Sequence, residues 1–300
     1  TIDDDAHGRE LWRSDGTRAG TALVKDIDPD DTSYYSGPNN LPAVGDAVFF
    51  AADDGVHGRE LWTSDGTKAG TVQVDDIRAG SYDGDPEYLT AVGSGIYFTA
   101  RDGVHGRELW SSDGTAAGTH LVRDIRPGSP SSGPGELTDV GGKLFFNADD
   151  GVHGRELWTS DGSDAGTVLV ADLDPNDEDE YYGGASSLTD VAGTLFFTTD
   201  DGVHGRELWT SDGTEAGTVL VEDINPGGYG SDPAYLIAVG PKLFFAARDG
   251  VHGAELWTSD GTEAGTVLVE DISSSNDTYY SGPGGMADVT VDWPSEDRME

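Results

Sequence analysis

One phrase, His-Gly-Arg-Glu-Leu-Trp-x-Ser-Asp-Gly, recurs six times along the 300 residues, with Ala254 in place of Arg in the last copy, and limits the folds open to them. Its tryptophans are Trp12, Trp62, Trp110, Trp158, Trp209 and Trp257, separated by 50, 48, 48, 51 and 48 residues. A period of that size marks a solenoid, a propeller or another array, in which one supersecondary unit buries its apolar face only against its neighbours. Residues present in every copy are therefore read first as serving the copy itself. The repeats run nearly end to end with no linker, so a single domain spanning 1–300 is expected. Its repeats cover roughly 1–27 with 286–300, then 41–77, 88–125, 136–173, 187–224 and 235–272.

Within residues 235–272, short apolar runs alternate with breakers. Tyr235–Val239 ends at Gly240-Pro241, Lys242–Ala247 at Arg248-Asp249-Gly250, and Glu255–Ser259 at Asp260-Gly261; Thr266–Ile272 closes the copy. Four to seven residues per run, rich in β-branched and aromatic types and bounded by Gly, Asp or Pro, are strand signals. No stretch carries a helix-length 3.6-residue pattern. Four strands in each of six copies predict an all-β fold, a six-bladed β-propeller with four-stranded blades. In such a fold Phe244 and Phe245 point to opposite faces and both find cover. A solenoid is the second reading, but it needs polar capping copies, and the end copies here are ordinary. The chain begins at the register of a second strand and supplies third and fourth strands at Glu10–Ser14 and Thr21–Ile27. Met286–Trp293 aligns with the first strand of the other copies. The two ends are thus expected to close the sixth blade and remove two exposed sheet edges.

The phrase resembles the ELWxxDGT-repeat family of secreted and surface proteins. The match runs over Glu60-Leu61-Trp62-Thr63-Ser64-Asp65-Gly66-Thr67 and its five counterparts, with Ser163 in place of Thr in the fourth copy. The layout is also similar to TolB-type and YWTD-type six-bladed propellers. The resemblance implies the fold and a location outside the cell or on its surface. It implies no reaction, because propellers host many functions.

The charge is extreme, with 57 acidic and 17 basic residues and a net charge of −40. Such self-repulsion is tolerated where salt screens it, the Debye length falling to roughly 3 Å at 1 M. A medium rich in divalent cations would favour the same composition, but the balance of residues points first to a halophilic source. Nucleic acid is not an expected partner, since phosphate binding needs clustered Lys and Arg. No membrane insertion is expected either, because no apolar run approaches the roughly 18 residues of a spanning helix. With no cysteine, disulfides and thiolate metal sites are excluded.

The repeated side chains His57, Glu60, Trp62, Asp65 and Gly66, with their equivalents, are assigned structural work. Each histidine is expected to tie its turn to the Trp strand, and a six-fold ring would hold its members too far apart to share one ion. Asp65 and Ser64 are expected to satisfy local backbone groups, with Gly66 at positive φ. Carboxylates flanking the second strand and ending the fourth are the candidates for Ca²⁺, a hard cation that takes several oxygen ligands. They are Asp54 with Asp76, Asp102 with Asp124, Asp150 with Asp172, Asp201 with Asp223, and Asp249 with Asp271. Tyr34, Tyr35, Tyr181, Tyr182, Tyr279 and Tyr280, in the long loops after fourth strands, are candidates for ligand binding, with faces suited to sugar rings. No Gly-x-Ser-x-Gly elbow occurs. His120 stands out as a histidine outside the repeat.

A chain of this kind reads as a non-catalytic binding or structural module, not an enzyme. It would meet a protein or glycan at the cell exterior through the Tyr- and Asp-rich loops. The alternatives are a glycoside hydrolase or lyase using carboxylates near the central channel, and a rigid unit of a surface layer, filament or adhesin.

Overall fold

The computed structural model describes residues 1–4, 6–29, 37–174 and 184–272. Strands β1 (Ile2–Asp4), β2 (Gly8–Arg13) and β3 (Ala22–Lys25) form the first sheet. The second holds β4 (Ala43–Val44), β5 (Ala47–Asp53), β6 (Arg59–Ser64) and β7 (Val72–Asp75). The third holds β8 (Glu87–Val92), β9 (Gly95–Ala100), β10 (Glu108–Ser112) and β11 (His120–Arg123). The fourth holds β12 (Gly135–Val140), β13 (Lys143–Asp149), β14 (Arg155–Ser160) and β15 (Val168–Ala171). The fifth holds β16 (Ser186–Val191), β17 (Thr194–Asp200), β18 (Arg206–Ser211) and β19 (Val219–Glu222). The sixth holds β20 (Ala234–Val239), β21 (Lys242–Arg248), β22 (Ala254–Ser259) and β23 (Val267–Glu270). Every sheet is an antiparallel meander in chain order, three-stranded in the first and four-stranded in the other five. The described residues contain no α-helix. Three single 3₁₀ turns, beginning at Ala116, Glu215 and Glu263, follow the Asp-Gly turns and carry no sequence signal of helix length.

The Phe pairs explain how the sheets stack. Neighbouring strand residues point to opposite faces, so Phe49 packs toward the third sheet with Phe98 and Trp110, while Phe50 packs toward the first with Leu11 and Val24. Each buried Trp faces the preceding sheet: Trp158 meets Leu109, Val122 and Phe146, and Trp209 meets Leu157, Val170 and Phe197. Five apolar clusters thus fill five seams between successive sheets, and no sheet has a core of its own. Fully burying one such Phe or Leu contributes about 1.5–3 kcal/mol. In the last copy Phe245 is buried as expected, whereas Phe244 is only half-buried.

First strands of successive sheets lie against one another, β8 on β12, β12 on β16 and β16 on β20. Thr90 Oγ1 donates to the Leu137 carbonyl at 3.2 Å, and Thr138 Oγ1 to that of Leu188 at 3.4 Å. These first strands thus lie along one side of the stacked sheets. Residues 286–300, expected to complete the first sheet, lie outside the described residues.

Candidate functional site

Each sheet has two unlike ends. At one, the third strand turns into the fourth through Ser-Asp-Gly-Thr. Asp65 Oδ1 accepts from the Thr67 amide (2.8 Å) and hydroxyl (2.7 Å), and Ser64 Oγ accepts from the Gly66 amide at 3.0 Å. Gly66 sits at φ +81°, and a Cβ on Gly70 would collide with the Asp65 carboxylate. The bond from the Thr67 hydroxyl, then that from its amide, holds the Asp65 carboxyl below its ordinary value. These are the local bonds that the residue types imply.

At the other end lie the turn between second and third strands and the connector to the next sheet. Asp102 Oδ1 accepts from the amides of Val104 (2.9 Å) and His105 (2.8 Å), and its Oδ2 lies 2.8 Å from His105 Nδ1. His105 Nε2 is 4.0 Å from Asp124 Oδ2. The same Asp-His pair recurs as Asp54-His57, Asp150-His153, Asp201-His204 and Asp249-His252. Each of these histidines is thus tied to the aspartate of its own turn, and in the third sheet its other ring nitrogen faces Asp124 after the fourth strand. The hydrogen bond to Asp102 raises the His105 pKa, with Asp124 adding to it. Burial pushes Asp102 up, but the bonds from Val104 and His105 outweigh it and the carboxyl titrates low.

In the third sheet an imidazole thus stands between the two aspartates proposed as metal ligands, and the oxygens of Asp54, Asp102, Asp150, Asp201 and Asp249 are engaged by their own histidines and by turn amides. Asp76 Oδ2 accepts from the Gly80 amide (3.2 Å) and Asp124 Oδ2 from that of Gly128 (3.1 Å). Among the described residues no three His, Asp or Glu side chains are grouped to hold a metal.

The Arg-Glu pair of the phrase points both ways along the chain. Glu60 is fully buried and accepts from the amides of Ile77 (3.1 Å), Arg78 (3.3 Å) and Gly84 (2.8 Å) in the outgoing connector. Glu207 accepts from the Asn225 amide (3.4 Å) and from the Ser231 amide (2.7 Å) and hydroxyl (2.5 Å). Burial, partly offset by these bonds, pushes Glu60 and Glu207 up to about 7 and Glu156 up to about 8. The adjacent arginine reaches the incoming connector: Arg107 Nη1 donates to the Asp85 carbonyl at 2.7 Å, and Arg155 Nη1 to that of Gly133 at 2.9 Å. Ala254 stands at this register in the sixth sheet, where Arg248 Nη1 pairs with Asp232 at 2.9 Å.

Where the connectors enter the first strands, a bulge breaks the register in each of β8, β12, β16 and β20. Tyr88, Glu136, Ser187 and Tyr235 occupy these bulges at φ +53° to +57°, and Asn40 takes the same position at +46°. Non-glycine residues rarely adopt this region, and a bulge re-aims the side chain it carries. Asn40, Tyr88 and Glu136 line one cavity of about 550 Å³. Tyr229, in a connector, is 91% exposed, and Tyr82 is stacked under Arg78. The tyrosines proposed for ligand binding, Tyr34, Tyr35, Tyr181, Tyr182, Tyr279 and Tyr280, lie outside the described residues. His120 lies at the opposite end of its blade, on β11 beside Ser111.

No family model matches the chain, and no curated protein matches it. Among solved structures it is similar to a puromycin hydrolase, with TM-score 0.51 and 15% identity over 77% of this chain and 37% of that one. A prolyl endopeptidase gives 0.54 and 13% over 88% and 40%. A puromycin-hydrolysing peptidase of Mycobacterium tuberculosis gives 0.50 and 13% over 92% and 43%. The chain spans about two fifths of the length of each. The likeness is one of fold, and these neighbours are propeller proteins; none shows the ELWxxDGT repeat. The expectation that the chain is not an enzyme is corrected by them, since each of the three is a hydrolase or peptidase. Among the described residues no helix is long and apolar enough to cross a membrane.

Proposed function

We propose that the six sheets close into a six-bladed propeller, with residues 286–300 completing the first blade, and that the chain is a binding module. It meets a protein or glycan at the exterior of a salt-adapted cell, through the face that carries the connectors and the Asp-His turns. Membership of the ELWxxDGT-repeat family belongs to this proposal and is supported by the six copies of the phrase.

The observation that carries the reading is where the copies differ. Their strands and Asp-Gly turns are nearly interchangeable, but the bulge position is Asn40, Tyr88, Glu136, Ser187 or Tyr235. Variable side chains on a rigid scaffold are where recognition concentrates, and exposed tyrosines supply rigid contact area at low entropy cost. Divalent ions would have to compete with the imidazoles for the paired aspartates.

Affinity electrophoresis of the full chain through gels holding dextran or mannan tests the glycan arm. Retardation should be lost in a Tyr88→Ala/Tyr235→Ala double variant. Migration unaffected by either polysaccharide removes that arm. Thermal melts at low and high NaCl, each with and without EDTA, test salt adaptation and bound ions, and a melting temperature that ignores both removes them.

A further inference from the structure

We propose that the third sheet carries a serine nucleophile, Ser111, with His120 as its general base, and that it takes the acyl group of a small ester. The near-identity of the copies makes the case, because the other sheets serve as controls. Tyr97, Ser111 and His120 are cross-strand partners in one row across β9, β10 and β11. The matching row reads Phe-Thr-Val in four other sheets: Phe49-Thr63-Val72, Phe145-Thr159-Val168, Phe196-Thr210-Val219 and Phe244-Thr258-Val267. Three departures from the repeat thus fall side by side, each adding or freeing a polar group. They line one cavity of about 550 Å³, at the end of the blade away from the connectors.

The hydrogen bonds have the form that nucleophile activation requires. Thr63, Thr159 and Thr258 donate their hydroxyls to second-strand carbonyls of their own sheets, at 3.2, 2.9 and 3.0 Å. Ser111 Oγ instead lies 3.4 Å from His120 Nε2. His120 Nδ1 lies 3.2 Å from the Gly118 carbonyl, which only accepts, so Nδ1 carries the proton and neutral Nε2 is left as the base. Nucleophile, base and a third group orienting the base are the minimal arrangement for covalent catalysis, and the first contact is often loose before substrate binds. Asp113 lines the same cavity as Ser111 and His120. Burial, with Asp161 adding, raises the pKa of the Tyr97 phenol, which stays a hydrogen-bond donor for the developing oxyanion.

His120 Nε2 takes the Ser111 proton as Oγ bonds to the ester carbonyl carbon. The same nitrogen returns the proton to the departing alkoxide, which leaves as an alcohol. Water, losing a proton to His120 Nε2, then attacks the acyl carbonyl carbon; the C–Oγ bond breaks as the same nitrogen returns that proton to Ser111 Oγ, and the products are a carboxylic acid and free Ser111. Ester and water are the only reactants.

This site is independent of the binding face, so either can fail alone. The test uses the full chain with p-nitrophenyl acetate in stopped flow, together with a fluorophosphonate label located by peptide mass. A burst of one p-nitrophenolate per chain and a label on Ser111 are expected. Ser111→Ala should abolish both, and His120→Val should slow acylation about 100-fold or more. His120→Val and Ser111→Thr install residues that the other sheets already hold, so an unchanged melting temperature separates loss of chemistry from loss of fold. Equal turnover by wild type and Ser111→Ala, a label on another residue, or a His120→Val rate equal to wild type overturns the proposal.

Discussion

The two ends of a blade are held by opposite means. The Asp-Gly end is closed by short-range bonds, from two to seven residues apart, such as Ser211 Oγ to the Gly213 amide (3.0 Å) and to Thr218 Oγ1 (2.8 Å). The connector end is held by Glu207 and its equivalents, whose partners lie 17 to 24 residues further on. Local closure needs particular side chains at each step of the turn, so the turn repeats almost letter for letter. The buried glutamate binds mostly backbone amides, as at Ile77, Arg78 and Gly84. A connector can therefore change its side chains and remain docked. The same phrase fixes one end of the blade and frees the sequence of the other.

The largest break in this contrast should come from Glu207→Ala. It leaves buried donors of the connector without an acceptor, at about 1–3 kcal/mol for each orphaned group. Chemical denaturation should show a loss of several kcal/mol, and hydrogen exchange should show residues 225–232 opening first. A loss confined to a few tenths of a kcal/mol would mean the connector is held by something else.

Titration sharpens the contrast next. Glu60, Glu156 and Glu207 titrate near 7 to 8 in the fold against an ordinary 4.5. A carboxyl with a raised folded pKa stabilises fully below its unfolded value, and that contribution is lost as pH rises through the folded one. The histidines, raised above 6.5 by their aspartates, act in the same direction. Asp54 and Asp102, held below 3.8, contribute above that value and lose it as pH falls. The melting temperature should therefore peak between about pH 3.8 and 4.5 and decline by several degrees as the pH rises to 8.5. Glu60→Gln should flatten the alkaline decline. A melting temperature that climbs from pH 6 to 8.5 would contradict the burial of these carboxyls.

The smallest effect is expected at the local end. Ser211→Ala removes one acceptor from the Gly213 amide and should cost about 1 kcal/mol, with exchange protection lost only around residues 212–218. Opening that spread to the connector would show that the two ends are coupled.

Much of this was legible in the residues. The strand runs of 235–272, the Ser-Asp-Gly-Thr bonds and the opposed faces of Phe145 and Phe146 follow from period-two alternation and turn chemistry, which act over a few positions. The histidine's partner was harder to see. His105 stands three residues from Asp102, but only the folded turn aims its other nitrogen at Asp124. The aspartate pairs read as metal ligands looked equivalent in the sequence because nothing there places an imidazole between them. Tyr97, Ser111 and His120 could each have been found by aligning the copies, yet their separations of 14 and 9 residues give no sign that they share a row.

By itself the sequence determined the repeating unit, its four strands and its self-contained turn, because these depend on side-chain alternation and on bonds between near neighbours. Tertiary structure decided which faces meet across a seam, which connector each buried glutamate holds, and which residue of each first strand sits in its bulge. Those outcomes depend on register and stacking between segments far apart in the chain, where one residue of slip reverses every side chain.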